Sequence, residues 1–325
     1  MTSLAYIPLF FFSLFVSYLL TLYLSKKMKR VGITGKDINK KDRPEVAEMG
    51  GIGFVGAFVG GVLLALALYT FGITALNINI LFVVAALLSI LSVSYMGIVD
   101  DLISLPQWAK AFLPLLAAIP LVAMSAAGST SMTIPFIGEI DFGLFYIFVL
   151  IPIGLAVASN LTNMLAGFNG LEAGMGMVIF SVMSLIALTH GNDDMAVLFV
   201  PMLGALIGFF FNNKFPAKIF PGDVGNLAIG ATLAAGVIIG NLESAGAILM
   251  IPYVIDFFIK AWNGFPSTKW WGEIKNGKLY PVEGKVRGFA QLVMKIAGGI
   301  SEKNLVLFFI LLEGFFALVV IALYL

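Results

Sequence analysis

The chain has 325 residues, of which 60% are hydrophobic and only 11% are charged, and its formal net charge is +1. Soluble globular domains carry about 25% charged residues, so this composition excludes a soluble globular protein and predicts an integral membrane protein. The near-neutral charge argues against a nucleic-acid partner. The absence of cysteine excludes disulfides and thiolate metal sites.

Apolar runs of about 20 residues, the length that crosses a bilayer as a helix, recur along the whole chain. We predict ten transmembrane helices over 4–25, 50–71, 79–99, 108–127, 143–160, 170–189, 195–212, 222–240, 243–262 and 303–324. The predicted fold is all-α, a polytopic membrane protein in which residues 1–325 form a single integral membrane domain.

The distribution of basic residues predicts the orientation of these helices. All 19 Lys and Arg residues lie in or beside the loops that follow odd-numbered predicted helices. Because basic residues accumulate in cytoplasmic loops, both termini are expected outside and the polar loops in the cytoplasm. The alternating sequence "SMTIPFIGEIDF", residues 131–142, predicts a small β-hairpin at the outer surface. The compact single chain favours a prokaryotic cell membrane over the endoplasmic reticulum.

The sequence "GIVDDLISLPQWAK", residues 97–110, places two adjacent carboxylates at the inner end of predicted helix 3. Such a pair favours a cation between the carboxylates or a raised pKa on one of them. An ordinary helix end before a proline turn is the alternative. Lys110 adds a cation suited to phosphate.

The sequence "SNLTNMLAGFNGLEAG", residues 159–174, concentrates asparagine and glycine in what we interpret as a cytoplasmic loop. Asparagine offers both a donor and an acceptor, which suits a nucleobase edge or a metal ligand. Helix capping and a turn around "GFNG" explain some of these residues but not their density.

Asp223 stands at the start of predicted helix 8, in "FPGDVGNLAIG". It is either a helix cap or an acidic ligand, and Phe220 offers an aromatic face for stacking. In the first inner loop, a basic cluster that only fixes topology or contacts anionic lipid is the simpler interpretation. Asp256 and Glu313 lie within predicted helices, where ionisable residues are rare and often functional.

Together these motifs resemble the polyprenyl-phosphate N-acetylhexosamine-1-phosphate transferase family over nearly the whole chain. "GIVDDLISLPQWAK" is similar to the family's aspartate-pair motif, "MGGIGF" to its glycine pair, and "FPGDVGNLAIG" to its Gly-Asp motif. "NMLAGFNGLEAG" resembles the branch that uses UDP-N-acetylglucosamine and dolichyl phosphate, rather than the muramoyl-pentapeptide branch.

The resemblance implies a magnesium site and a catalytic group. Asn163 and Asp223 match the family's Mg²⁺ ligands, with Mn²⁺ as an alternative ion. Asp100 and Asp101 match the essential aspartate pair, and Lys110 matches the lysine that faces the pyrophosphate. Asp223 therefore counts both as a metal ligand and as a catalytic residue.

The resemblance also implies a nucleotide site. Phe220 matches the residue that stacks on uracil, Gly167 and Asn169 match residues that contact the base, and Glu48 lies near one that lines the site. The family's last cytoplasmic loop carries histidine or arginine where this chain reads "FPSTK", residues 265–269. Lys269 is expected to supply the cation there.

The function implied is transfer of N-acetylglucosamine-1-phosphate from UDP-N-acetylglucosamine to a polyprenyl or dolichyl phosphate, with release of UMP. The sequence does not choose between direct attack and a phospho-enzyme on an aspartate. The alternatives are a muramoyl-pentapeptide or other hexosamine-1-phosphate transferase and, from another class, a nucleotide-sugar or lipid-sugar transporter. The glycines of predicted helix 2 permit close packing within one chain or in a homodimer.

Overall fold

The computed structural model describes residues 2–125, 129–266 and 268–325, most of which are helical. The helices are α1 (Tyr6–Val31), α2 (Gly51–Thr70), α3 (Ile80–Ile103), α4 (Gln107–Ala117), α5 (Ile119–Ser125), α6 (Ile151–Met164), α7 (Leu171–Thr189), α8 (Asp193–Asn213), α9 (Gly222–Gly240), α10 (Glu243–Leu249), α11 (Ile251–Trp262), α12 (Phe289–Ile296) and α13 (Glu302–Tyr324). Short 3-10 turns occupy Thr2–Ala5 and Val282–Gly284, and a π-helical turn, Tyr146–Leu150, leads into α6. The last two residues of the predicted span 108–127 lie outside the described residues.

The predicted number of membrane-spanning segments is confirmed. Within the described residues, nine helical segments are long and apolar enough to cross a bilayer, and α4 with α5 forms one of them. The ninth predicted span, 243–262, is a pair of shorter helices, α10 and α11, bent by 59° at Met250. Pro252 at the second position of α11 lacks the backbone N–H that would continue the hydrogen-bond ladder across the bend.

Two helices form the centre of the bundle. α8 packs against α1, α2, α7 and α9, and α9 packs against α3 and α6 as well. In the most apolar stretch of α8 and of α9, 72% and 78% of the residues are buried. The corresponding fractions for α1 and α13 are 22% and 33%. Asp223, at the start of α9, is therefore carried by a helix that neighbouring helices surround.

Three helices extend four or more residues beyond their predicted ends, and one of them is α3, which continues to Ile103. α1 continues through its basic residues to Val31 and ends where Gly32 adopts a left-handed conformation, φ 78°. α6 continues to Met164, so Asn160 and Asn163 lie on its last turns. The prediction that both asparagines lie in a loop is wrong, because hydropathy marks where a helix leaves an apolar environment and not where its hydrogen bonds stop.

Three antiparallel hairpins join the helices. They are β1 (Thr34–Lys36) with β2 (Glu45–Ala47), β3 (Ser131–Ile134) with β4 (Gly138–Asp141), and β5 (Gly272–Lys275) with β6 (Lys278–Pro281). The β3–β4 pair confirms the hairpin predicted over 131–142, with Met132 opposite Ile140.

The two ends of the bundle differ in charge. All 19 Lys and Arg residues belong to the segments at one end, which also carries the β1–β2 and β5–β6 hairpins. At the opposite end, Tyr6 and the backbone N–H of Asn77 donate to Asp193, and Tyr146 donates to Glu243. We refer to the first as the basic end.

The glycines of α2 pack mainly within the chain. A Cβ on Gly51 would lie 2.4 Å from the backbone of Gly225, and one on Gly61 would lie 2.1 Å from the Ser13 hydroxyl. Only a hydrogen atom fits at these two positions, which lets α2 approach α9 and α1 closely. Homodimerisation stays a prediction.

The two intramembrane acids differ in their surroundings. Asp256 is paired with Lys260 at 2.8 Å. Glu313 is fully buried, and neither of its carboxyl oxygens has a hydrogen-bond partner among the described residues.

Candidate active site

A large cavity opens at the basic end, with a volume of about 1180 Å³. Its walls come from most of α4 and α6, the start of α9, the middle of α11 and the loops between them. Six of the predicted site residues line it: Glu48, Lys110, Asn163, Gly167, Phe220 and Asp223. Residues from four separate segments of the sequence therefore meet in one place.

Asp100 lies behind this wall and holds Lys110. It is almost fully buried, and one carboxylate oxygen accepts the backbone N–H of Leu105 at 2.8 Å. The other oxygen lies 2.5 Å from the Lys110 ammonium. The ion pair fixes the lysine, whose ammonium also lies 3.7 Å from Asp223. Asp100 thus ends α3 and orients a cation, so it is not the solvated helix end considered from the sequence.

Asp101 contacts a different group. Its two carboxylate oxygens accept the backbone N–H groups of Asp223 at 2.9 Å and Val224 at 3.2 Å. These are among the free N–H groups of the first turn of α9, where a negative charge is also favoured by the helix dipole. The carboxylate of α3 therefore caps α9 and fixes the backbone of Asp223.

Glycine makes this contact possible. A Cβ on Gly97 would lie 2.5 Å from the Val224 backbone, so a larger residue would separate α3 from α9. Gly222 has φ +70°, a conformation that favours glycine, and a Cβ there would lie 2.6 Å from the Asp101 carboxylate. The Gly-Asp sequence is required by the close approach of two helices.

Asn163 projects from the last turn of α6 toward the same helix. Its side-chain oxygen accepts from the amide of Asn226 at 3.0 Å, and both side chains line the cavity. Asn226 follows Asp223 by three residues and therefore shares its helix face. The Asn226 side-chain oxygen is buried and has no partner among the described residues.

Glu48 forms the wall opposite α9. It follows β2, and a Cβ placed on Gly35 of β1 would fall 1.9 Å from its carboxylate, so the side chain lies directly on that strand. Burial and the negative charge of Asp101 raise the pKa of the Glu48 carboxyl above its usual value.

The segment before Asp223 is held like an added strand. Phe220 donates its N–H to the Ala47 carbonyl, and its carbonyl accepts from the N–H of Gly50, both at 2.8 Å. Ile219 forms a parallel bridge with Ala47. These bonds fix the ring of Phe220 at the cavity wall.

Gly167 lies in a turn between α6 and α7 that Glu172 organises. The Glu172 carboxylate accepts the Gly167 N–H at 2.5 Å. Gly167 has φ +108°, and a Cβ on it would lie 2.3 Å from the ring of Trp270. The indole therefore lies against the glycine backbone at the cavity wall.

Two predicted contacts do not line the cavity. Asn169 is buried, and its side-chain amide donates to Asp37 while its side-chain oxygen accepts from Ala217. Lys269 is half-exposed and pairs with Glu283, whose carboxyl pKa is lowered by hydrogen bonds from Lys269 and Arg287. The neighbouring Ser267 lies outside the described residues. Both side chains therefore contact other groups of the protein, and neither lines the cavity.

The rest of the cavity wall is apolar and reaches the outside of the bundle. Phe112 of α4 is 62% exposed and Phe258 of α11 is 65% exposed, and both line the cavity. Ile153 and Val157 of α6 lie between them on the wall and are also exposed. Because these surfaces belong to membrane-spanning segments, the cavity opens sideways where α4, α6 and α11 meet.

Several lining residues were not predicted from the sequence. They are Asp37, Glu172, Asn226, Lys260 and Trp270. Asn226 could have been predicted, because it follows Asp223 by three residues and so lies on the same face of the helix. Asp37 lies in the first inner loop, whose basic cluster we interpreted as a topology signal.

The donor set fits Mg²⁺ in type. Asp223 offers a carboxylate at the cavity wall, and Asn163 and Asn226 beside it offer amide oxygens. Mg²⁺ takes one or two carboxylates and completes its shell with substrate phosphates and water. Within the described residues no three His, Cys, Asp or Glu side chains are grouped to hold a metal by themselves, and binding of Mg²⁺ stays a prediction.

Comparison with known proteins places the chain among the glycosyl transferases. The family described as glycosyl transferase family 4 matches residues 82–241. A protein of Saccharolobus solfataricus, provisionally named UDP-N-acetylglucosamine–dolichyl-phosphate N-acetylglucosaminephosphotransferase, is 36% identical over 314 residues, which cover 96% of this chain and 94% of that protein. A protein of Sulfolobus acidocaldarius with the same provisional name is 34% identical, over 95% and 94% of the two chains. A phospho-N-acetylmuramoyl-pentapeptide-transferase of Latilactobacillus sakei is 31% identical, over 77% and 78%.

The chain therefore belongs to the polyprenyl-phosphate N-acetylhexosamine-1-phosphate transferase family that its motifs resemble, and it is an enzyme. The prediction of family is confirmed, and the transporter alternative receives no support.

Proposed function

We propose that this enzyme transfers N-acetylglucosamine-1-phosphate from UDP-N-acetylglucosamine to a polyprenyl phosphate of the dolichyl type. The products are the lipid-pyrophosphoryl sugar and UMP. The observation that carries the proposal is one cavity that joins a polar end, with Lys110 and Asp223, to an apolar wall open to the membrane. The two most extensively matched relatives named above carry the provisional name of this activity.

The reaction joins an oxygen of the lipid phosphate to the sugar-bearing phosphorus and breaks that phosphorus's bond to the oxygen bridging it to the UMP phosphorus. Catalysis of phosphoryl transfer relies mainly on alignment and on neutralising charge on the phosphate oxygens. Lys110 supplies a fixed positive charge at the cavity wall. Mg²⁺, held by Asp223 and Asn163, would neutralise further charge on the phosphates.

The two aspartates of α3 act in this proposal by positioning. Both oxygens of Asp100 already have partners, Leu105 and Lys110, and both oxygens of Asp101 accept N–H groups of α9. A carboxylate whose oxygens are occupied is a poor nucleophile. This arrangement supports direct attack by the lipid phosphate over a phospho-enzyme, and the phosphate is already largely dianionic at pH 7 because its second pKa is about 6.

The apolar wall is proposed to bind the first units of the isoprenoid chain. Phe112, Ile153 and Phe258 lie on the three helices around the lateral opening. The lipid would enter from the bilayer, while the nucleotide sugar enters from the aqueous side between the loops. Because basic residues mark cytoplasmic loops, the basic end is proposed to face the cytoplasm, in the cell membrane of a prokaryote.

The proposal is tested with purified protein in detergent. UMP release is measured from UDP-N-acetylglucosamine with dolichyl or undecaprenyl phosphate, with Mg²⁺, with Mn²⁺ and with chelator. We expect UMP only when the lipid phosphate and a divalent cation are both present. Mn²⁺ is expected to replace Mg²⁺ in part.

Competition among donors decides the branch of the family. A preference for UDP-N-acetylmuramoyl-pentapeptide would assign the chain to the function of its more distant relatives. Folded protein that releases no UMP from any UDP-sugar would refute the proposal.

A further inference from the structure

Lys40 joins two buried carboxylates that are far apart in the sequence. Its ammonium lies 3.0 Å from Asp37 and donates to Glu302, the first residue of α13. The two acidic side chains are only 4% and 3% exposed, and Lys40 is 19% exposed. Burying an ion costs desolvation energy, so a buried charge cluster is by itself weak evidence for a contribution to stability, and we look for its role in positioning.

Asn169 donates hydrogen bonds to both carboxylates of this cluster. Its backbone N–H donates to the second oxygen of Glu302 at 2.8 Å, and its side-chain amide donates to Asp37 at 3.1 Å. Its side-chain oxygen accepts the N–H of Ala217 at 2.8 Å. We call Asp37, Lys40, Asn169 and Glu302 the Lys40 clamp.

We include a second asparagine, Asn39, in the Lys40 clamp, because it ties the same loop directly to the cavity wall. The side chain of Asn39 donates to the Gly167 carbonyl at 2.9 Å and accepts the N–H of Gly272, in β5, at 3.1 Å. The Lys40 ammonium also lies 4.5 Å from the ring centre of Phe215, a cation–π contact. The clamp thus gathers the first inner loop, the α6–α7 turn, the α8–α9 segment, β5 and the start of α13.

Two groups that the clamp holds face the cavity. Asp37 is itself a lining residue, and Gly167, whose carbonyl Asn39 holds, forms the adjacent wall under Trp270. Phe220 and Glu48 lie in the same polar part of the cavity. The apolar wall of α4 and α11 has no contact with the clamp among the hydrogen bonds and ion pairs of the described residues.

We infer that the Lys40 clamp positions the wall that binds the nucleotide part of the donor, and that Lys40 is a positioning residue for donor affinity. This inference rests on the proposed function. Without the ammonium, the carboxylates of Asp37 and Glu302 repel each other, and the first inner loop moves away from Gly167. Loss of one donor contact worth about 1.4 kcal/mol weakens binding of the donor about tenfold.

The test compares four proteins: wild type, Lys40→Met, Lys40→Arg and the control Lys41→Met, which removes a neighbouring exposed charge. The measurements are kcat and KM for the nucleotide sugar and KM for the lipid phosphate. We expect Lys40→Met to raise the donor KM at least about tenfold, with kcat and the lipid KM changed less than about threefold. Lys40→Arg, which keeps a charge able to reach both acids, should recover most of the loss.

A donor KM unchanged in folded Lys40→Met, or an equal loss for both substrates, would overturn the inference. If Lys40→Met fails to fold, the double variant Lys40→Met/Glu302→Gln removes one of the two repelling charges and is measured instead. The thermal shift given by UDP provides a readout independent of turnover. A wild type that binds UDP but releases no UMP refutes the proposed function, whereas a UDP shift undiminished in Lys40→Met refutes the clamp.

Discussion

The carboxylate of Asp101 caps α9, which carries Asp223 in its first turn, since it accepts the N–H groups of Asp223 and Val224 at 2.9 and 3.2 Å. One acid of the pair therefore positions another acid on a different helix, while its neighbour Asp100 holds Lys110. The adjacent aspartates serve two separate elements because consecutive residues on a helix point about 100° apart.

Replacing Asp101 by Asn should lower both stability and turnover. The substitution keeps the shape but removes the charge, so two charge-assisted hydrogen bonds to α9 weaken, at a cost of about 2 kcal/mol in the free energy of unfolding. Unfolding in detergent and UMP release measure the two effects. Asp42→Asn, which changes an exposed carboxylate, is the control; equal stability of the two variants would contradict the capping role.

Replacing Asp223 by Asn should abolish cation-dependent turnover while the fold stays intact. The backbone N–H groups that Asp101 accepts are unchanged by this substitution, so thermal stability should stay close to that of the wild type. Loss of a main charge at the phosphates should lower kcat by at least about a hundredfold. Turnover retained at the wild-type level would refute the assignment of Asp223 as a ligand.

Replacing Glu48 by Gln should stabilise the protein in a pH-dependent way. Burial and the charge of Asp101 raise the pKa of the carboxyl in the folded state, so the folded protein binds this proton more tightly than the unfolded chain. The corresponding stability is fully present below the unfolded pKa, about 4.3, and is lost as pH rises through the folded pKa. Because Gln cannot ionise, the Glu48→Gln variant keeps this stability as the pH rises.

The measurement for Glu48 is the melting temperature between about pH 4 and pH 8. The Glu48→Gln variant should melt about 1–2 °C above the wild type at the upper end, and the difference should shrink toward acid pH. Glu45→Gln, an exposed position on β2, should show no such trend. A difference in melting temperature that grows toward acid pH would contradict a raised pKa for Glu48.

Replacing Phe112 or Phe258 by Ala should weaken binding of the lipid phosphate. Each ring loses apolar contact that is worth up to about 2 kcal/mol when fully buried, so the lipid KM should rise about tenfold with the donor KM unchanged. Phe15 of α1 is similarly exposed, at 57%, but does not line the cavity. Phe15→Ala should therefore leave both constants unchanged, and an equal effect in all three variants would indicate a general loss of packing.

Replacing Asp256 by Ala should strongly destabilise the protein. Asp256 accepts the N–H of Phe289 at 2.7 Å, at the start of α12, and pairs with Lys260, which in turn donates to the carbonyl of Met164 at the end of α6. Removing one member of a buried pair costs about 3–5 kcal/mol. The double variant Asp256→Ala/Lys260→Met should recover part of this loss in thermal unfolding; no recovery would show that the pair is not the cause.

Much of the fold follows from the sequence because membrane helices are selected by length and hydropathy. The span over 222–240 coincides with α9, and the hairpin over 131–142 forms as predicted. The helix ends were less predictable. α1 and α6 continue past their apolar runs because backbone hydrogen bonds, not hydropathy, decide where a helix stops.

The sequence could predict which residues come together at the candidate site, but not which contact each of them makes there. Motif resemblance selected Lys110, Asn163 and Asp223, and the structure brings all three to the wall of one cavity. It did not separate Asp100, which holds a lysine, from Asp101, which caps a helix, because both roles have the same sequence signature.

By itself, the sequence determined the class of protein, the number of membrane-spanning segments and the family, since each depends on composition, local periodicity or local motifs. Only the tertiary structure decided which polar residues share a wall. Lys40 meets Glu302 across 262 positions of sequence, and Asn39 meets Gly167 across 128. Such pairs depend on how the helices pack, and no local pattern encodes that packing.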